Sequence, residues 1–245
     1  VKPVVRIERI AAGGDGVGRM ADGRAVFVPR TAPGDEVELE DVRLHARFAR
    51  AWPGRLVVPG PDRVAPRCIH YERDRCGGCQ LQHLSAAAQL AARRAIVGDA
   101  LRRIGRLEVE DPLLEAPGEP WAYRRRITLR GDPTGRRIGF HRLADGAEVF
   151  ELEHCAIAAP GINRIWAAMR ATRDGLPPAL EGVVLRLARD GHGHVVLRGP
   201  VRPAPDGVAR LEAAMQADGP PVSWWWEPER GQARIVGGPA PASAA

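Results

Sequence analysis

The chain has 245 residues, 44% hydrophobic and 5% aromatic, with 36 Lys and Arg against 30 Asp and Glu for a net charge of +6. That length suits one large or two small domains with a sizeable core. No apolar run approaches the roughly 18 residues of a membrane-spanning helix, and the N-terminus lacks the charged-then-apolar order of a secretory signal. The expectation is a soluble, cytoplasmic, monomeric protein without membrane contact. Lys2 is the only lysine among the 36 cations. Biased composition accounts for most of that, although the planar fork of arginine also suits phosphate and base recognition.

From Val4 to Val58 the sequence is short strand-like runs separated by turns: Val4–Ile10, Ala25–Val28, Glu36–Val42, Arg47–Arg50 and Arg55–Val58. A Gly-rich turn, Gly13 to Gly18, follows the first, and Pro33-Gly34-Asp35 precedes the third. Five short strands with close turn signals and no helical period predict an OB-like β-barrel over residues 1–58. Pro59-Gly60-Pro61 ends it and opens a loop with three of the four cysteines. A helix capped by Ser85 and stopped by Gly105 comes next, with Leu90, Val97, Leu101 and Ile104 on its apolar face.

From Trp121 the pattern is α+β. Strands are expected near Tyr123–Arg130, Arg137–His141, Glu148–Leu152, Val183–Ala188, His194–Leu197, Trp224–Trp226 and Ala233–Val236, and helices near Ile162–Thr172 and Val208–Ala217. The fold class is therefore α+β: a barrel, a cysteine loop, and a central domain, the last two spanning residues 59–238. Residues 239–245 read as a linker toward a further domain.

The cysteines stand as Cys68-x7-Cys76-x2-Cys79, then Cys155 alone. Without a secretory signal, a Cys-x2-Cys core indicates a metal site before it indicates disulfides. Structural zinc commonly pairs two such knuckles, and here there is one. Three clustered thiolates plus a distant fourth match ferredoxin-type spacing, which puts an iron–sulfur cluster ahead of zinc and leaves zinc open. Gly77 and Gly78 suit a tight turn with N–H groups directed at sulfur.

The run Cys76-Gly77-Gly78-Cys79-Gln80-Leu81-Gln82-His83-Leu84, with Cys68 before it and Cys155 after it, resembles the cluster motif of the iron–sulfur-containing bacterial RNA uracil-C5 methyltransferases. The barrel resembles their TRAM domain at Gly13-Gly14-Asp15-Gly16-Val17-Gly18, Asp22–Pro29 and Ala32-Pro33-Gly34-Asp35. Trp121–Arg126, Ile138-Gly139-Phe140-His141 and His154-Cys155 resemble their central domain. Seven residues separate Cys68 from Cys76, against the family's usual five, a difference a loop absorbs. The resemblance implies a 4Fe–4S cluster on Cys68, Cys76, Cys79 and Cys155. It also implies an RNA substrate, 23S rRNA ahead of tRNA, and methyl transfer from S-adenosylmethionine to C5 of a uracil after a cysteine adds at C6. With all four thiols assigned to the cluster, no catalytic residue remains. The Gly-rich stretch Gly13–Gly18 precedes a strand rather than a helix, so it is no cofactor loop. The chain is thus expected to be the recognition portion of such an enzyme, inactive alone, with S-adenosylmethionine bound by a missing domain. The alternative is a stand-alone zinc-binding RNA-binding module.

Alternation along Tyr123–Arg130 places Arg124, Arg126, Thr128 and Arg130 on one face and Tyr123, Arg125, Ile127 and Leu129 on the other. The arginines are candidate RNA contacts, against a plain solvated face. Phe27 and Phe48 could stack bases, but with so few aromatics they are read as core. Trp224-Trp225-Trp226 should divide between core and surface. His192 and His194 read as a polar hairpin turn rather than a metal site, and His70 and His83 as packing or outer partners of the cysteines.

Overall fold

The computed structural model describes residues 2–115, 118–143, 146–215 and 219–239. Val1, the expected helix end at Ala217, and residues 240–245 of the expected linker lie outside the described residues. Contacts divide the chain into two compact units, residues 1–71 with 79–118, and residues 72–78 with 119–245. No helix among the described residues is long and apolar enough to cross a membrane.

The first unit is built on a closed barrel of β1 (Val4–Ile10), β2 (Gly16–Arg19), β3 (Ala25–Val28), β4 (Glu36–Leu44) and β5 (Phe48–Val58), in the order β1-β2-β3-β5-β4. Alternate residues fill it: Val5, Ile7, Val26, Val28, Val37, Leu39, Ala49 and Ala51. Two of the five expected strands are redrawn. The Gly-rich stretch is only partly a turn, because β2 begins at Gly16. A Cβ there would lie 2.1 Å from Thr31 Oγ1, so the glycine serves close packing. Arg47–Arg50 and Arg55–Val58 are one strand, which carries Pro53 across an irregular register opposite Leu39.

The turn before β4 is locked from inside. Fully buried Asp35 accepts hydrogen bonds from the Ala32 and Gly60 N–H groups at 2.6 and 2.8 Å, and Arg63 Nη2 and Nε approach it at 2.6 and 3.0 Å. Burial pushes its carboxyl pKa up, but Arg63 and the two N–H groups outweigh this and hold it below the usual carboxylate range.

A one-turn helix, α1 (Ile69–Glu72), precedes α2 (Ala86–Arg103), whose cap is the expected Ser85, accepting the Ala88 N–H at 3.2 Å. The packed stripe differs from the expected one. Ala88, Ala92 and Ile96 lie against Ile10, Ala32 and Leu84, while Val97 and Ile104 are 40% and 84% exposed. Small alanines let the helix approach the barrel closely, a role hydrophobicity alone does not reveal.

The second unit holds a seven-stranded sheet of β6 (Arg126–Gly131), β7 (Ile138–His141), β8 (Val149–Glu151), β9 (Gly182–Leu187), β10 (Gly193–Arg198), β11 (Val222–Glu227) and β12 (Arg234–Gly237), ordered β12-β11-β10-β9-β6-β7-β8. Among the described strands of this sheet only β10 and β11 pair parallel, and α4 (Pro205–Met215) makes the crossover such a pair requires. The other long helix, α3 (Pro160–Ala171), buries Ile162, Ile165, Trp166 and Met169, and Trp166 Nε1 donates to the Leu152 carbonyl at 2.8 Å. Gly139 is dictated by contact, since a Cβ would sit 1.9 Å from the Phe150 carbonyl oxygen of β8. Trp224 is core, 1% exposed, while Trp225 and Trp226 are half-buried.

Candidate nucleic-acid interface and cysteine loop

The strand expected from Tyr123 starts at Arg126, and this changes the arginine stripe. Arg126 and Arg130 share an exposed face while Ile127 and Leu129 are buried, as alternation requires. Arg124 precedes the strand in an isolated bridge to Ala158, and Tyr123 and Arg125 are exposed rather than directed inward with Ile127. Arg125 instead donates from its guanidinium to the Leu187 carbonyl, at 3.1 Å, and to that of Ala188, tying the end of β9 to the start of β6.

β9 and the turn that follows it supply the residues that sequence reasoning missed. In the antiparallel β6–β9 ladder Arg126 faces Arg186. Arg124, Arg125, Arg126, Arg186 and Arg189 line one open pocket of about 430 Å³. Arg130 does not line it; four residues along a strand carry it about 13 Å from Arg126. Only the register of β6 on β9 could have joined these arginines, and register is not visible in either strand alone. Among the described residues no carboxylate makes an ion pair with Arg124, Arg126, Arg186 or Arg189. A neighbouring pocket of about 530 Å³ shares Arg125 and adds Arg164, Asp190 and the start of α3. That helix begins at Pro160 with no side-chain cap and no acid in its first turn, so its dipole adds to the positive field. A concave surface with this many cations and few acids can hold the phosphates of a polyanion, with the flat guanidinium groups suited to paired oxygens.

Each unit contains two of the cysteines. Cys68 and Cys79 are half-buried members of the first, and Cys76 and Cys155 are buried members of the second; none of the four is in a disulfide. Arg75 adopts a left-handed φ of +50°, and Cys76 bridges to Arg142. The Gly78 N–H points at Cys76 Sγ from 3.4 Å, as expected of this turn. Gly77 donates to the His141 carbonyl at 3.0 Å, and a Cβ on it would come within 3.3 Å of that oxygen, so contact rather than φ calls for glycine. Cys155 is fixed by Asn163, whose Oδ1 accepts the Cys155 N–H and whose Nδ2 donates to its carbonyl, both at 3.0 Å. Cysteine sulfurs outside any disulfide, one already receiving an N–H bond, are chemically the donors that a cluster or a soft metal takes. Among the described residues, no group of three or more His, Cys, Asp or Glu is gathered to hold a metal ion.

His83, in the first unit, is buried, 1% exposed. The Tyr71 hydroxyl donates to the Gln80 carbonyl and also lies 2.7 Å from His83 Nδ1. The phenol has one proton, so Nδ1 carries the proton of that contact. Burial lowers the His83 pKa to about 4. His192 Nε2 lies 2.7 Å from Ser223 Oγ, which donates to the Pro239 carbonyl at 2.6 Å, consistent with a polar hairpin turn.

Phe27 and Phe48 are not core. Val26 and Ala49 fill the barrel, and the two phenylalanines point outward, half-buried, in an edge-to-face pair with centroids 5.8 Å apart.

Comparison with known proteins places these features. Residues 4–51 match the TRAM domain family, so the closed barrel is a TRAM domain. The chain is 34% identical over 172 residues to a 23S rRNA (uracil(1939)-C(5))-methyltransferase RlmD of Dechloromonas aromatica, covering 69% of this chain and 39% of the relative. It is 36% identical over 200 residues to the protein of that name from Halomonas elongata, covering 78% and 40%. To an uncharacterized RNA methyltransferase of Thermosynechococcus vestitus it is 32% identical over 219 residues, covering 84% and 47%. The chain thus spans less than half the length of these relatives. Among solved structures, Pyrococcus abyssi tRNA (uracil-54, C5)-methyltransferase in complex with S-adenosyl-L-homocysteine shares the fold, with a TM-score of 0.65 and 23% identity over 95% of this chain and 53% of that one.

Proposed function

We propose that this chain is the RNA-recognition and cluster-bearing portion of an RNA uracil-C5 methyltransferase, with 23S rRNA ahead of tRNA as substrate. The observation that carries the reading is the gathering of Arg124, Arg125, Arg126, Arg186 and Arg189 around one pocket. Like charges opposed across a strand pair are costly unless an anion lies between them. A TRAM domain in the same chain and relatives named as rRNA uracil methyltransferases favour RNA as that anion.

Cys68, Cys76, Cys79 and Cys155 are the proposed ligands of a 4Fe–4S cluster, on the strength of their spacing and of the cluster motif they resemble. When bound, the cluster would hold the cysteine loop by thiolate bonds, and metal affinity would then contribute to folding. The chain's own residues prepare those ligands, Gly78 by its N–H bond to Cys76 Sγ and Asn163 by fixing the backbone of Cys155. Methyl transfer to C5 of uracil needs a thiolate at C6, because the ring is a poor nucleophile until it is made an enolate. With every thiol assigned to the cluster, we assign that step, and S-adenosylmethionine binding, to a domain outside these residues.

The test is anaerobic purification with iron, sulfide and zinc analysis, followed by an assay of RNA binding and of methyl transfer from labelled S-adenosylmethionine. Equal iron and sulfide, RNA binding and no transfer are expected. Zinc without sulfide would favour the stand-alone zinc module, and transfer of label would overturn the division of labour.

A further inference from the structure

The outward aromatic pair of the barrel lies in a local surface that barrel packing does not explain. The interior is complete without Phe27 and Phe48, yet two of the four phenylalanines in the chain are spent on this face. β3 and β5 run parallel with Ala25 opposite Phe48 and Phe27 opposite Arg50, so both rings and the Arg50 side chain project from one side. The β4–β5 hairpin adds His45, which is exposed and lies on Phe48 with centroids 4.4 Å apart and planes 18° from parallel. The Arg50 guanidinium stands 5.7 Å from the centre of the Phe27 ring and reaches Asp15 at 3.3 Å. Arg43 and Arg47 flank the hairpin, exposed, and make no ion pair among the described residues.

We propose that this face is a stacking platform for unpaired bases of single-stranded RNA, with Phe27, His45 and Phe48 receiving the bases and Arg43 and Arg47 the adjoining phosphates. The inference rests on the RNA reading above and adds a second, chemically different contact to it. The arginine-lined pocket offers charge to the backbone of any nucleic acid. The barrel face offers flat rings interleaved with cations, which suits exposed bases and has nothing to grip on a closed duplex. Charge decides against a protein helix as the occupant, since the open side chains here are cationic and a nucleic acid supplies both the π-faces and the negative charge.

Two measurements on the intact protein test it. The first is fluorescence anisotropy with a labelled single-stranded RNA 12-mer and a blunt duplex of the same sequence. Phe48→Ala and Phe27→Ala should weaken single-strand binding about 5- to 150-fold, the range that loss of one stacked base gives. The salt slope should stay, because no charge is removed, and duplex affinity should change less than about 2-fold. Phe48→Tyr, which keeps the ring, should bind as the wild type. The second is photo-crosslinking of 5-iodouridine RNA to the unmutated protein, with adducts expected on Phe27, His45 or Phe48. Single-strand binding that survives both alanine substitutions, or adducts only elsewhere, overturns the platform and leaves the RNA reading intact. A wild-type protein that binds neither RNA fails the RNA reading itself.

Discussion

Arg126 and Arg186 face each other across the β6–β9 ladder, and among the described residues neither makes an ion pair with a carboxylate. Two exposed like charges directly opposite one another lower the stability of a sheet by about 0.2–1 kcal/mol. Retaining them makes physical sense where an anion binds between them. Arg186→Gln should therefore leave the free protein as stable as before or slightly more stable, while weakening RNA binding. A urea melt and a binding titration on the same sample check both halves, and a variant that loses stability without losing affinity would point to a structural role.

Asp35 and Arg63 form the reverse case, a buried pair with every oxygen engaged. Asp35→Ala should cost about 3–5 kcal/mol, because it strands a guanidinium and two N–H groups in the wall of the barrel. A fall in the urea midpoint with an unchanged m-value is the expected result. A shift no larger than that of an exposed pair such as Arg55–Glu38 would contradict the assignment.

His83 makes stability depend on pH. Its folded pKa of about 4 lies below the ordinary 6.5, so between those values the unfolded chain binds the extra proton. The contribution is fully present above about pH 6.5 and is lost as pH falls toward 4, amounting to on the order of 3 kcal/mol. His83→Gln should flatten the stability curve across that window. A curve that keeps its full slope in the variant would assign the titration elsewhere.

The cysteine loop gives a graded pair of variants. Cys155→Ala removes a proposed ligand and should abolish iron and sulfide retention. Asn163→Ala removes the two bonds that hold the Cys155 backbone and should lower retention while costing about 1–3 kcal/mol. Unchanged iron content in Cys155→Ala would exclude that thiolate as a ligand.

Legibility differed between elements for identifiable reasons. The barrel interior could be read because Val26, Val28, Val37 and Leu39 alternate with polar or outward neighbours, and β5 ends at Val58 where Pro59 stops it. The Ser85 cap was visible in the residue type itself. The packed face of α2 was not, because Ala88 and Ala92 bury little area each and Val97 and Ile104 mislead by hydrophobicity. β2 was hidden by its glycines, which usually signal turns. Phe27 and Phe48 read as core because the chain has so few aromatics, and only the register that directs Val26 and Ala49 inward turns them outward. The arginine pocket was half legible: Arg124 and Arg126 stand out in a run of three, whereas Arg186 and Arg189 join them through a pairing 60 residues distant in sequence.

The most direct measurement is the salt dependence of RNA affinity for the wild type and for the combined Arg124→Gln, Arg126→Gln and Arg186→Gln variant. Each phosphate neutralised contributes roughly 0.7–0.9 to the slope of log affinity against log salt. The account requires a steep slope in the wild type and a slope shallower by about 2 in the variant, with affinity lost alike across RNA sequences. Wild-type binding that is insensitive to salt, or two parallel lines, would contradict it.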